Sequence, residues 1–250
     1  MGAKSQSGVW QRIVSLIPPH EVFIEPFLGS GAIMRKKSPA SENIGRDLAT
    51  PILTRTAASL AKVWPGARFD IRRGCGIEYL ETYPFTGREF VYADPPYVLS
   101  TRSNKRYDHE LTDADHSRLL RVLRSLPCAV MLSGYPSDLY RACGFGPNET
   151  LFSWNCDVFQ VMTRGHTWAT ECLWMNYARP AVLHDHSAVG NGWRDRQRIA
   201  RKRRRWVARL EKLPDLERST LFAALVDVVG RDRIASELAR LPACGSSRRL

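Results

Sequence analysis

The sequence lacks any long apolar segment. No run approaches the ~20 apolar residues that a membrane-spanning helix needs, and the first residues open no apolar stretch as long as that of a secretory signal. Apolar residues still make up 44% of the 250 residues and charged residues 25%, a balance typical of a chain that buries a core. These features predict a soluble intracellular protein.

Closely spaced cysteine pairs are also absent, since none of the six cysteines forms a C-x-x-C motif. Neither a zinc ribbon nor a disulfide framework is predicted, and ordinary thiols of a reducing compartment are favoured. His184 and His186 could hold a metal together, but without a third ligand nearby we interpret them as plain surface residues, and we predict no metal site. The cysteines are Cys75, Cys128, Cys143, Cys156, Cys172 and Cys244.

Acidic residues are scarce relative to basic ones. The 25 acidic side chains face 37 basic ones, which leaves a net charge of +12. This surplus is concentrated in residues 181–250, which hold 16 basic and 8 acidic side chains. An excess of this size favours a polyanionic partner such as nucleic acid.

Strand-like and helical segments alternate along most of the chain. Strands are predicted at 22–24, 43–47, 68–72, 90–93 and 128–133, helices at 7–17, 31–37, 49–63, 77–82 and 113–126, and a hairpin at 150–162 and 170–177. This alternation predicts an α/β fold with a mostly parallel sheet, covered on both faces, and a late antiparallel hairpin at its edge.

Three regions follow from the composition. We predict a catalytic domain at 1–179, a linker at 180–193 that contains proline, glycine and asparagine, and a basic helical C-terminal region at 194–250. Helices in that last region are predicted at 194–213, 215–229 and 231–241.

Residues 23–31 predict a strand that runs into glycines at the start of a helix. Ligands of open α/β sheets bind beyond the carboxyl ends of the strands, and Gly29 and Gly31 let the backbone approach a ligand beside the ring of Phe27. Met34 occupies the position of the third glycine in a dinucleotide fingerprint. A pyrophosphate cradle is therefore not predicted.

Asp47 follows at the end of the next predicted strand, where a carboxylate can accept hydrogen bonds from both hydroxyls of a ribose. A ribose site without a phosphate site predicts a nucleoside ligand, and S-adenosylmethionine is the first candidate. The alternative is that the glycines serve only a tight turn and that Asp47 caps the helix at 49–63.

The segment Asp94-Pro95-Pro96-Tyr97 ends an apolar strand and is far more specific. Neither proline has an N–H and each ring fixes φ, so the turn is stiff and its carbonyls stay available as acceptors. The Asp94 carboxylate and the Pro95 carbonyl can then accept both protons of one exocyclic amino group. Tyr97 offers a face on which a flipped base stacks.

The order of these motifs, FLGSG (27–31) and then DPPY (94–97) with GAK (2–4) near the start, resembles that of the Dam-like DNA N(6)-adenine methyltransferases. Shorter segments are similar to the phage- and prophage-associated branch, so the resemblance covers about residues 2–177; they are EYL (78–80), YDHEL (107–111), SGY (133–135) and TECLWMNY (170–177). It implies a Rossmann-like methyltransferase fold, S-adenosylmethionine as cofactor, DNA as partner, base flipping, and a cytoplasmic location in a bacterial or phage-infected cell.

The resemblance also implies roles for particular residues. The adenine amino group and ring would be held by Asp94, Pro95, Pro96 and Tyr97. The cofactor would be contacted by Lys4, Glu25, Phe27, Gly29, Gly31, Asp47, Cys75, Gly76 and Asp94.

Two departures from the family pattern bear on binding. The family often has an acidic residue near the cofactor adenine, where this chain has Cys75 and Gly76, which cannot replace its hydrogen bond. Family members also usually carry a helical recognition domain between the ribose acid and the catalytic motif. Only 46 residues (48–93) are available there, so we predict no such domain and expect any sequence reading from loop 98–111 or from the tail.

The tail begins with eight basic residues and one acidic residue in the thirteen positions 194–206. A helix there predicts salt-sensitive, sequence-independent contacts to phosphates, and the alternative is a solvated helix that braces the catalytic domain. The last two helices fit a helix-turn-helix at Gly230 weakly, and three helices packing together is favoured. The predicted nucleic-acid contacts are Arg102, Lys105, Arg106, Arg196, Arg198, Arg201, Lys202, Arg203 and Arg205.

The activity expected from the sequence is methylation of adenine in DNA. Methylation of adenine in RNA is the alternative among enzymes, because the same tetrapeptide suits either backbone. The alternative from another class is a non-catalytic nucleic-acid-binding protein that keeps a methyltransferase-like fold.

Overall fold

The computed structural model describes residues 4, 8–102, 108–145, 154–162, 168–190 and 192–240. Its helices are α1 (Val9–Val14), α2 (Ala32–Lys36), α3 (Thr50–Val63), α4 (Gly76–Thr82), α5 (Asp113–Ser125), α6 (Asp138–Ala142), α7 (Trp193–Lys212), α8 (Asp215–Val229) and α9 (Arg231–Arg240). Its strands are β1 (Val22–Glu25), β2 (Glu42–Asp47), β3 (Phe69–Arg73), β4 (Glu89–Ala93), β5 (Ala129–Gly134), β6 (Asn155–Met162) and β7 (Trp168–Met175).

The seven strands form one sheet in the order β3-β2-β1-β4-β5-β7-β6. The first five strands are parallel, and β7 pairs antiparallel with both β5 and β6. The predicted α/β, Rossmann-like fold with a late antiparallel hairpin at the sheet edge is therefore confirmed. The segment that joins the two strands of the hairpin, residues 163–167, lies outside the described residues.

The strand order reverses between β1 and β4, which are neighbours in the sheet although two strands separate them in sequence. Phe23 of β1 pairs with Phe90 of β4, and Ile24 with Val91, so the carboxyl ends of the two strands lie side by side. In doubly wound sheets such a reversal opens a crevice beyond the carboxyl ends of the strands, and ligands bind there. The glycine segment and the Asp94 turn both begin at this crevice.

Burial on both faces explains why β1 and β4 read as continuous apolar runs rather than alternating ones. Phe23 and Phe90 stack with ring centroids 6.0 Å apart in one core layer. Ile24 and Val91 face the opposite layer, which packs against α4 and α5. Every residue of β4 is buried. The strand that leads to Asp94 is thus held from both sides.

Residues 184–188 of the segment predicted as a linker are docked on the segments that follow α1 and α2. His184 donates from its backbone N–H to the Ile17 carbonyl (3.0 Å), and its Nε2 lies 3.0 Å from the Ser38 carbonyl. Asp185 accepts from the Ser38 N–H at 2.6 Å. The interpretation of His184 as a surface residue is wrong, because it is buried, whereas His186 is exposed.

The docked segment covers a group of buried basic side chains. The His184 and His20 rings stack with centroids 3.9 Å apart. Burial and the nearby Lys37 ammonium lower the pKa of His184 to about 3, and burial lowers that of His20 well below 6.5. Burial also lowers the pKa of Lys37 to about 7, although Asp185 and Glu25 act in the opposite direction. The folded state therefore resists protonation of this group.

We expect the protein to lose stability as the pH falls below 6.5 because of these histidines. The unfolded chain binds protons on both imidazoles there while the folded chain keeps them neutral, so each contributes a slope of up to ~1.4 kcal/mol per pH unit. Urea unfolding between about pH 4.5 and pH 6.5 measures the slope. His184→Gln should reduce this slope, and a slope equal to that of the unchanged protein would contradict the explanation.

The three C-terminal helices do not bury a core of their own in the described residues, so the prediction that they pack together is wrong for that part of the chain. No residue of α7 or α8 is buried. Helices α8 and α9 contact each other around Gly230, which has a φ of 90°. The apolar residues of α8 are spread around its circumference rather than along one face, and those left exposed are Leu216, Leu221, Phe222, Leu225 and Val228.

Candidate active site

The segment after β1 has the backbone that its glycines predict. Gly29 and Gly31 adopt φ values of 48° and 58°, in the left-handed region that favours glycine. The backbone carbonyl of Gly29 accepts from the Thr56 hydroxyl at 3.1 Å, and that side chain lies close beneath Gly31. Phe27 remains half-buried beside this loop. The loop is therefore a fixed turn with an aromatic ring next to it.

Asp47 ties this loop to the end of β2. Its Oδ2 accepts from the Gly29 N–H at 2.7 Å and its Oδ1 accepts from the Ala49 N–H at 2.9 Å. Each carboxylate oxygen has a further lone pair, and the side chain is half-buried rather than enclosed. Asp47 thus stabilises the turn and the entry to α3, and it keeps acceptor capacity on the crevice side.

Glu25, the last residue of β1, has a buried carboxyl group that is 3% exposed. Its Oε2 has no hydrogen-bond partner among the described residues. Burial, and then the charge of Asp94, raise the pKa of Glu25 well above its usual value, and a hydrogen bond from the Met34 backbone acts against this rise. An unpartnered acceptor of this kind fits a donor group on a ligand.

The Asp94 turn follows the buried strand β4. Pro95 is buried, while Pro96 and Tyr97 are half-buried. Asp94 Oδ1 accepts from the Ser133 hydroxyl at 2.8 Å, and the side chain of Asp94 is 23% exposed. Because the Asp94 carboxylate is anchored through Oδ1 and still partly open, its Oδ2 can accept a hydrogen bond from a ligand.

A buried polar network lies behind Asp94. The Lys4 ammonium donates to the Tyr97 hydroxyl at 2.5 Å, lies 3.6 Å from Asp94 Oδ1 and forms a close ion pair with Glu171. The Tyr97 hydroxyl is 3.2 Å from both Ser133 Oγ and Glu171 Oε1. Burial lowers the pKa of Lys4, and Asp94 acts against this shift. Lys4 therefore lies beside the Asp94 turn.

Tyr97 is held from two sides. Its hydroxyl is part of the polar network, and burial followed by the charge of Asp94 raises its pKa well above the usual value. Its ring packs edge-on against Tyr135, with centroids 4.5 Å apart and planes at 64°. The ring orientation is therefore set before any ligand binds.

Sequence reasoning assigned no separate role to three members of this site: Ser133, Tyr135 and Glu171. All three lie within segments that carried the family resemblance. Glu171 could have been noticed because it is the single acidic residue of β7, and the four residues that follow it in the strand are all buried. A charge in such a strand needs a partner, and here the partner is Lys4.

The segment at Cys75 and Gly76 contacts the glycine segment, but packing alone explains its glycine. A Cβ atom on Gly76 would lie 2.0 Å from the Pro26 carbonyl oxygen, so α4 begins directly against the backbone of the segment after β1. Cys75 is half-buried and its side chain makes no capping hydrogen bond to α4. The predicted cofactor contacts of these two residues stay a prediction.

The predicted nucleic-acid contacts fall into two groups. Arg102 is largely buried and pairs with Glu110, and its predicted nucleic-acid contact stays a prediction. Lys105 and Arg106 lie outside the described residues. Arg196 is half-buried, with Nη1 3.3 Å from the Gly190 carbonyl, and Arg198 pairs with Asp195. The remaining four, all exposed on α7, are Arg201, Lys202, Arg203 and Arg205.

Two absences hold for the part of the chain that the structure describes. No helix there is long and apolar enough to cross a bilayer. No group of three or more potential metal ligands is found there either.

No protein-family model matches the sequence, and a search of curated proteins gives no match. Solved structures with a similar arrangement are distant. TrmN from Thermus thermophilus matches with 18% identity and a TM-score of 0.43 over 66% of this chain and 46% of its own, so the match spans less than half of that protein.

Two further structures match at a similar distance. A dimethyladenosine transferase from Plasmodium falciparum has 15% identity and a TM-score of 0.43, over 68% of this chain and 61% of its own. A tRNA (uracil-54, C5)-methyltransferase from Pyrococcus abyssi, in complex with S-adenosyl-L-homocysteine, has 10% identity and a TM-score of 0.43, over 67% and 36%. Likenesses this distant say nothing about what this chain binds or transforms.

Proposed function

We propose that this protein transfers a methyl group from S-adenosylmethionine to the exocyclic amino group of adenine in DNA. The observation that carries the proposal is the juxtaposition at the strand-order reversal. A glycine turn with an aromatic ring and two carboxyl groups lies beside a rigid acidic turn, because β1 and β4 are paired in register and end together. A donor of a group and an acceptor nucleophile can therefore meet there.

The residues at the glycine turn fit the proposed cofactor. The unpartnered Glu25 oxygen suits an ammonium group, and the remaining acceptor capacity of Asp47 suits ribose hydroxyls. Phe27 suits the face of a purine or an alkyl chain. When bound, this cofactor supplies a methyl group on a positively charged sulfur, which needs no further activation by the protein.

The chain's own contribution is orientation of the amino group. Asp94 Oδ2 and the Pro95 carbonyl would accept its two protons, which turns the nitrogen lone pair away from the ring and toward the methyl group. Tyr97 and Tyr135, in edge-on contact, would form one wall for a flipped base. Positioning of this kind is the main source of catalysis that the site requires.

The choice of a nucleic acid as the partner rests on charge. The exposed arginines at 194, 201 and 205 and the paired Arg198 recur at helical spacing along one side of α7, over about 16 Å of helix axis. Such a row suits the phosphates of a nucleic-acid backbone and carries no sequence information by itself. This interpretation supports nucleic acid over a small-molecule acceptor.

Incubation with methyl-labelled S-adenosylmethionine tests the proposal directly. The acceptors should be duplex DNA, single-stranded DNA and RNA of equal sequence, followed by nucleoside analysis of the labelled product. We expect N(6)-methyladenine in DNA. Label in RNA alone would favour the RNA enzyme, label on cytosine would overturn the base assignment, and no label together with no calorimetric binding of S-adenosylmethionine at millimolar concentration would favour a non-catalytic nucleic-acid-binding protein.

A further inference from the structure

Glu171 is a buried carboxylate next to the proposed catalytic turn, and the activity as described gives it no task. Glu171 lies on β7 and is 1% exposed. Because Cys172 pairs with Gly134, the last residue of β5, Glu171 lies level with the carboxyl ends of the parallel strands. It thus reaches the Asp94 turn from the antiparallel hairpin, and it is the one described residue of that hairpin in the network.

The contacts of Glu171 all lead to Asp94 through an intermediary. Its Oε1 pairs closely with the Lys4 ammonium and lies 3.2 Å from the Tyr97 hydroxyl. The same ammonium is 3.6 Å from Asp94 Oδ1, which is longer than a hydrogen bond. Lys4 therefore stands between two carboxylates, and the closer of the two is Glu171.

This asymmetry matters because an ammonium group with one carboxylate partner would form a direct ion pair with it. If Asp94 were that partner, its carboxylate would turn inward and its negative charge would be neutralised by the ammonium group. With Glu171 as the closer partner, the Asp94 carboxylate keeps the orientation given by Ser133 and stays available as an acceptor for an amino group.

We propose that Glu171 is a positioning residue that holds Lys4 away from Asp94 and thereby keeps the Asp94 carboxylate aimed at the substrate amino group. The proposal rests on the proposed function for its kinetic consequence. Its structural consequence, the position of the Lys4 ammonium, does not depend on any activity.

The first test is the variant Glu171→Gln in the full-length protein, assayed for methyl transfer to adenine in DNA. We expect kcat to fall by about 10- to 100-fold while KM for DNA and for S-adenosylmethionine changes by less than about threefold, because only the acceptor geometry is altered. Asp157→Asn is the matched control. Asp157 lies on the same hairpin as Glu171, and this change breaks its ion pair with Arg12 of α1, so kcat should be unchanged.

A double variant separates positioning from simple loss of stability. If Glu171 acts through Lys4, then Lys4→Gln combined with Glu171→Gln should be no slower than Lys4→Gln alone. A kcat for Glu171→Gln within twofold of the unchanged protein, or a double variant whose loss is the product of the two single losses, would overturn the proposal.

A crystal structure of Glu171→Gln provides the readout that needs no activity. The Lys4 ammonium should move into direct contact with Asp94 Oδ1, and an unchanged 3.6 Å separation would refute the positioning role. If the unchanged protein methylates no adenine while this shift is seen, the proposed function fails and the role of Glu171 in holding Lys4 stands.

Discussion

Replacing Asp94 with alanine is expected to lower methyl transfer to adenine by about 1000-fold or more. The change removes the acceptor that orients the amino group, and orienting and electrostatic contacts of this type are worth roughly 100- to 1000-fold each. It also removes the carboxylate to which the Ser133 hydroxyl donates and leaves Glu171 as the carboxylate nearest to the Lys4 ammonium. Single-turnover assays on duplex DNA with a labelled methyl donor measure the effect.

Binding of S-adenosylmethionine should survive this change within about tenfold, because Glu25 and Asp47 lie on β1 and β2 rather than on the Asp94 turn. Calorimetric titration checks this part. Asp138→Ala is a suitable control, since that side chain is fully exposed on α6, where it pairs with Arg141. Turnover by Asp94→Ala equal to that of the control would remove Asp94 from the mechanism.

Removing positive charge from α7 is expected to weaken DNA binding by about 100-fold at physiological salt, the second-largest effect that we predict. The variant carries glutamine at Arg194, Arg198, Arg201 and Arg205, the exposed row along one side of α7. Each lost phosphate contact lowers the slope of log affinity against log salt by about 0.9, so four contacts would lower it by about 3 to 4. Fluorescence anisotropy at several salt concentrations measures the slope.

The matched control removes the same number of charges elsewhere. Lys62, Arg88, Arg121 and Arg124 lie outside α7: Lys62 is on α3, Arg121 and Arg124 are on α5, and Arg88 precedes β4. Glutamine at these four positions should leave the slope unchanged. Equal loss in both variants would show that only net charge matters. Binding of the unchanged protein to anionic lipid vesicles but not to DNA would assign α7 to a membrane surface.

Charge placement also explains how a protein without a recognition domain between Asp47 and Asp94 could engage its substrate. The space between these residues is filled by α3, β3, α4 and β4, as the residue count predicts. Affinity from α7 and base contact at the Asp94 turn would then come from separate parts of the chain. Such a protein is expected to show strong backbone affinity and little sequence discrimination.

Local sequence patterns predicted the elements of the α/β fold well. The apolar strands are recognisable because both faces of β1 and β4 are buried, and α5 is recognisable because Leu119, Leu120 and Leu123 recur at helical spacing. The two turns of the site are equally local: glycines with positive φ and a stiff Asp-Pro-Pro sequence have few alternative conformations.

Contacts between distant segments could not be read from local patterns. The docking of His184 and Asp185 on Ser38 depends on a surface that forms only when α2 and β1 are in place, so composition alone indicated a linker. The exposed apolar residues of α8 show the reverse error, since an apolar composition predicted packing that the described residues do not provide. In both cases the missing information was the shape of the neighbouring surface.

The sequence by itself determined the α/β order of elements, the two rigid turns and the basic tail, because each depends on residues that are close along the chain. Only the tertiary structure decided that those turns share one crevice, since this depends on β4 pairing with β1 rather than with β3. It also decided that Lys4 and Glu171, 167 positions apart, meet behind Asp94. A buried charge needs a partner at contact distance, and only the fold brings that partner to it.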